Sequence, residues 1–198
     1  LTLPTSNGKI TAKQVDTLIQ EHYSDASSEH TVQPGIVYIS FPTESGTLYS
    51  KQELTELYTV CQNHNIPLFI DGARLGYGLV VKKNDVTFED IANLCDVFYI
   101  GGTKVGALFG ECIVILNDLY KKDFRYSIKQ HGGMLAKGRM LGIQFEELFK
   151  NNRYLTISKH AIDMATILSE GFQSKGYHFY FPAETNQLFP IFKNTKLE

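Results

Sequence analysis

Three residues of this chain have the types and placement to do chemistry together. Asp71 closes the apolar run PLFID at 67–71 and is followed by Gly72, Ala73 and Arg74. Lys104 lies just beyond a second run, DVFYI at 96–100, inside GGTKVG at 101–106. Ligands of open parallel sheets bind outside the carboxyl ends of the strands, where these three would converge. A carboxylate, a guanidinium and an amine at such an edge each need a charged partner, because an unpaired buried charge costs several kcal/mol. Each also has a plainer reading. An aspartate at a strand end can cap a helix or shape a turn, Arg74 can pair on the surface, and Lys104 can be solvated. The combination, not any single residue, carries the signal.

Other chemistries fit poorly. Lys104 follows Thr103 rather than the glycine of a phosphate-binding P-loop. Gly76-Tyr77-Gly78 lacks the third glycine of a dinucleotide fingerprint, since position 81 is Val. The six histidines show no metal-ligand spacing, so no metal is expected, and no G-x-S-x-G nucleophile elbow occurs. His131 reads as a loop residue.

The elements that would position these residues alternate in kind. IVYISF at 36–41, PLFID at 67–71, DVFYI at 96–100 and CIVIL at 112–116 are apolar nearly throughout. That pattern fits strands covered on both faces, as in a parallel sheet. Between them lie helical spacings. Val15, Leu18, Ile19 and His22 follow Thr11…Gln14, and Leu54, Leu57, Tyr58 and Cys61 follow Ser50…Glu53. Both openings are capping boxes. Leu141, Phe145, Leu148 and Phe149 form another apolar stripe. So do Ile157, Ala161, Ala165 and Leu168, in a long helix from about 153 to 170 with Gly171 as a C-cap. The alternation predicts an α/β fold with right-handed crossovers. Near Asn151 the rhythm changes, and YHFYF at 177–181 and QLFPIF at 187–192 read as further strands, the second an edge strand beside its proline.

The whole composition bounds these readings. With 198 residues, 43% apolar and 20% charged, the chain can bury a substantial core. We expect most of one large domain at 1–152 and the beginning of a small C-terminal α+β domain at 153–198. The chain opens without an initiator Met and reads as part of a longer protein. A net charge of −2 offers no bulk attraction to nucleic acid or anionic membrane, and neither is expected as a partner. Cys61, Cys95 and Cys112 are odd in number and widely spaced, which fits free thiols in a reducing compartment such as the cytoplasm.

Taken together, FIDGARL at 69–75 and YIGGTKVGALFG at 99–110 resemble the signature of the L-threonine aldolase and β-eliminating lyase family. PTESGTLY at 42–49, HGGMLAKGR at 131–139 and TNQLFP at 185–190 agree. The resemblance runs over essentially the whole chain and implies the type I, aspartate-aminotransferase fold with pyridoxal 5′-phosphate (PLP) as cofactor. It implies that Lys104 is the covalent attachment point and that Asp71 pairs with the protonated pyridine nitrogen. It further places Arg74 near a substrate carboxylate, Ala73 against the pyridine ring, Thr103 near the phosphate or the lysine, and Lys129 near the phosphate, reaching toward a neighbouring subunit. An arginine that some relatives carry after the two glycines is replaced here by Ala136-Lys137.

The implied reaction is retro-aldol cleavage of threonine or allo-threonine to glycine and acetaldehyde. Another PLP-dependent elimination or transamination on the same fold, and a cofactor-free structural relative, are the alternatives. The resemblance also implies a homodimer or homotetramer. It places a phosphate-binding turn, a stacking histidine and a base candidate before Leu1, and a second carboxylate-binding arginine beyond Glu198. On that basis the 198 residues alone are expected not to catalyse.

Overall fold

The structure is a computed structural model that describes residues 1–193. Its centre is one four-stranded sheet, ordered as in the sequence: β1 (Val37–Ser40), β2 (Leu68–Asp71), β3 (Val97–Gly101) and β4 (Glu111–Ile115). β1, β2 and β3 are parallel, with Val37 beside Leu68 and Phe69 beside Val97. All four apolar runs become strands, but β4 departs from the parallel expectation. It runs antiparallel to β3, pairing Gly101 with Glu111. The connection over 102–110 is shorter than the dozen or so residues a parallel crossover needs, so the chain doubles back.

The described residues form seven α-helices: α1 (Ala12–Ser24), α2 (Lys51–Asn63), α3 (Leu75–Leu79), α4 (Phe88–Asn93), α5 (Phe124–Gln130), α6 (Arg139–Phe149) and α7 (Arg153–Ser174). Both predicted capping boxes form. The Thr11 hydroxyl oxygen accepts from the Gln14 N–H while Gln14 accepts from the Thr11 N–H, and Ser50 and Glu53 do the same. Thr87 and Asp90 make a third box at α4, with the shorter acid in the return position. The helix predicted to stop at Gly171 continues to Ser174, and the left-handed residue after it is Gly176, at φ 79°. Nothing crowds Gly171, so the apolar stripe carries the helix through it.

The strands expected at 177–181 and 187–192 do not form. The segments meet in one isolated antiparallel bridge, Phe179 with Pro190. Pro190 has no N–H to extend a ladder. Ring contacts of Phe172 in α7 with Tyr177, Phe179 and Phe192 hold the region instead. The last positions of the C-terminal segment, 194–198, lie outside the described residues.

The core explains the sheet's asymmetry. Val37, Ile39, Leu68, Ile70, Phe98 and Ile100 project to one face, in one buried cluster with Val15 and Ile19 of α1 and Leu54, Leu57 and Cys61 of α2. Cover on both faces was the expectation from the apolar runs, yet the second face is largely open, with Tyr38 55% and Ile113 47% exposed. There the Tyr38 and Phe69 rings stack with centroids 5.2 Å apart and shield one another. Cys61 and Cys95 are buried, Cys112 is half-buried, and all three are free. Burial pushes the Cys61 and Cys95 thiols up to about 12, so both stay protonated at neutral pH. No described helix is long and apolar enough to cross a membrane.

Candidate active site at the strand ends

Strand alternation builds the first part of the site. Tyr38 pairs with Phe69, Phe69 pairs with Val97, and Asp71 and Tyr99 lie two residues further along the same face. The two phenols therefore flank the carboxylate. The Tyr38 hydroxyl donates to Asp71 Oδ2, the Tyr99 hydroxyl donates to Oδ1 at 2.5 Å, and the Ala73 N–H donates to Oδ1 at 2.9 Å. Burial alone would raise the Asp71 pKa, but the Tyr38, Tyr99 and Ala73 hydrogen bonds and the nearby Lys104 charge outweigh it and hold the carboxyl below its ordinary value. The same contact works in reverse on Tyr38: burial, then its bond to Asp71, pushes the phenol up to about 12. A carboxylate has about four lone-pair sites. Three are filled here, so Oδ2 can accept one more donor.

The second part is the turn that carries Lys104. It starts where β3 touches the Asp71 segment backbone to backbone. The Gly101 N–H donates to the Gly72 carbonyl at 2.8 Å. A Cβ on Gly72 would lie 2.0 Å from the Tyr99 carbonyl oxygen, and one on Gly101 would lie 2.2 Å from that of Ala73. Only glycine allows this approach. The Val105 and Ala107 N–H groups then close on the Gly102 carbonyl, each at 2.9 Å. Buried Tyr77 donates its hydroxyl to the Lys104 carbonyl. Glu111 accepts from the Gly102 N–H at 2.5 Å and from the Thr103 hydroxyl at 3.1 Å. Lys104 itself is exposed, with its charge acting on Asp71. The acid and the amine thus share one rim of the sheet.

Arg74, the residue preceding α3, forms the third part. Its Nη1 lies 3.3 Å from Oε2 of Glu44, in the 42–49 segment. That segment is fixed by the 185–190 segment: Gln187 Nε2 donates to the Glu44 carbonyl at 2.9 Å, and the Thr185 hydroxyl donates to the Gly46 carbonyl at 3.1 Å. The structure therefore brings Asp71, Ala73, Arg74, Thr103 and Lys104 together. Lys129 is not among them; it lies exposed in the last turn of α5, a helix without extensive packing on any other described element. His131 caps the same helix, its Nδ1 2.8 Å from the Ser127 carbonyl oxygen.

Five contributing residues escaped the sequence reading: Tyr38, Tyr99, Tyr77, Glu44 and Glu111. A phenol inside an apolar run was the available signal, since a buried hydroxyl requires a partner. Glu44 and Glu111 carried none, because their partners are set by tertiary contact.

A family model described as beta-eliminating lyase matches residues 1–195. The low specificity L-threonine aldolase of Pseudomonas sp. (strain NCIMB 10558) is 30% identical over 202 residues, covering 100% of this chain and 56% of that protein. A threonine aldolase structure from Leishmania major superposes with a TM-score of 0.94 at 45% identity, again covering 100% of this chain and 56% of the other. The PLP-bound C-S lyase from Staphylococcus hominis, 15% identical, shares the fold alone: its TM-score is 0.58 over 89% of this chain and 44% of its own. The fold is that of the type I PLP-dependent transferases. The chain spans about half the length of the curated relatives it matches.

Proposed function

This chain belongs to the beta-eliminating lyase family, and on that premise we propose that the protein is a PLP-dependent aldehyde-lyase. Its reaction is retro-aldol cleavage of L-threonine, L-allo-threonine and related β-hydroxy-α-amino acids to glycine and an aldehyde. The observation that carries this reading is Asp71, kept ionised with one acceptor site left, on the same rim as the exposed amine of Lys104. Those donors and acceptors fit PLP, which when bound supplies an electron sink for the carbanion left as a bond to Cα breaks.

The chain's own residues then have distinct tasks. Asp71, with Oδ2 able to accept one more donor, would hold the pyridine nitrogen and favour its protonated form, because an adjacent carboxylate favours the cation. Lys104 would supply the amine that attaches the cofactor. Arg74 binds the substrate carboxylate, a task its planar fork suits, and its contact with Glu44 is made through Nη1. Ala73 presents a small face to the ring. Thr103 has given its one hydroxyl proton to Glu111, and so serves the lysine turn. Lys129 serves a phosphate across a subunit boundary in a homodimer or homotetramer, a reading supported by its exposure on α5, a helix without extensive packing on any other described element. The free cysteines support a cytoplasmic setting.

The test uses the full-length protein. With PLP it should develop a visible absorption band that Lys104→Ala abolishes, and it should release acetaldehyde from threonine and benzaldehyde from phenylserine. Pyruvate from cysteine without any aldehyde would move the assignment to β-elimination. A protein that never develops the band would be a cofactor-free relative.

A further inference from the structure

Lys104 is held from both sides by hydrogen bonds to its own turn. Glu111 is the cross-strand partner of Gly101, so the β3–β4 register fixes its position. Its two oxygens take consecutive donors just ahead of the lysine, the Gly102 N–H at 2.5 Å and the Thr103 hydroxyl at 3.1 Å. On the far side the Tyr77 hydroxyl holds the Lys104 carbonyl. Hydrogen bonds to an ionised acceptor are about twice as strong as neutral ones. The carboxylate thus pins the peptide from which a long, rotamer-rich side chain departs, and reduces the ordering left to do when that chain must meet an electrophile.

We infer that Glu111 is a positioning residue for Lys104, setting the turn so that the amine can reach the aldehyde of a ring whose nitrogen Asp71 would hold. The inference rests on the reading of Lys104 as the attachment point for PLP. A merely structural Glu111 would affect the fold or the cofactor pocket in general. A positioning Glu111 affects covalent capture and leaves non-covalent affinity alone.

The experiment follows the visible band after PLP is added to full-length apoprotein, and separately measures PLP affinity by fluorescence quenching in a Lys104→Ala background. Glu111→Ala should slow appearance of the band by about tenfold or more, as expected when a reacting group is misplaced by a fraction of an ångström. Glu111→Gln keeps one acceptor oxygen and should fall between that variant and the unaltered protein. Lys104→Ala and Lys104→Ala/Glu111→Ala should bind PLP equally tightly. Capture by Glu111→Ala at the original rate would overturn the inference, as would weaker PLP binding by Lys104→Ala/Glu111→Ala than by Lys104→Ala. If Glu111→Ala does not fold, Glu111→Gln decides, and an unchanged rate there overturns it. A band that persists in Lys104→Ala overturns the functional reading itself, and this inference with it.

Discussion

At the scale of single residues, the site is an aspartate kept charged by two phenols. A carboxyl with a depressed pKa contributes stability above its unfolded pKa of about 3.9, and that contribution is lost as pH falls through the lower folded value. Removing both donors with Tyr38→Phe and Tyr99→Phe leaves only the Ala73 N–H and the Lys104 charge to oppose burial, and raises the Asp71 pKa. Acid unfolding of the double variant, followed by circular dichroism, should therefore begin at a higher pH than in the parent. Asp71→Asn removes the charge proposed to keep the ring nitrogen protonated, and aldehyde release by the full-length protein should fall by about a hundredfold or more, in the range of other lost electrostatic stabilisers. Asp71, Arg74 and Lys104 were legible because charged residues beyond apolar runs are conspicuous. Tyr38, Tyr99 and Glu111 were not, because each acts across strands, and a register is fixed by pairing that no local spacing records.

At the scale of elements, the helix starts and the parallel run of β1, β2 and β3 were readable, and the reversal at β4 was not. A capping box is a local device, and Thr11…Gln14 and Ser50…Glu53 both form as spaced. Ser50→Ala should accordingly lower stability by about 1 kcal/mol in thermal unfolding. An apolar run has no arrow. CIVIL at 112–116 reads the same in either direction, and only the short connection ahead of β4 sets it antiparallel. Tyr154 of α7 shows how distant elements are joined to the site. Its buried hydroxyl accepts from the Gly76 N–H at 3.2 Å and donates to the Gly101 carbonyl at 3.1 Å. Tyr154→Phe leaves both backbone groups unpaired and should cost about 1–3 kcal/mol, read as a lowered Tm.

At the scale of the molecule, periodicity named the core but could not say which sheet face would stay open. Tyr38 and Ile113 lie on that open face, and a net charge of −2 supplies little repulsion between copies. The 198-residue chain on its own should therefore bind a hydrophobic dye and elute above its monomer mass in size-exclusion chromatography. The reversal between β3 and β4 has a different consequence, in time rather than space. A pairing between strands joined by a tight connection closes within microseconds, whereas β1 and β2 must find each other across an intervening helix. The lysine-bearing loop should thus be born early in refolding and the acid's cradle late. Pulsed hydrogen exchange would register this as protection at Tyr99 and Ile113 before protection at Ile39 and Ile70.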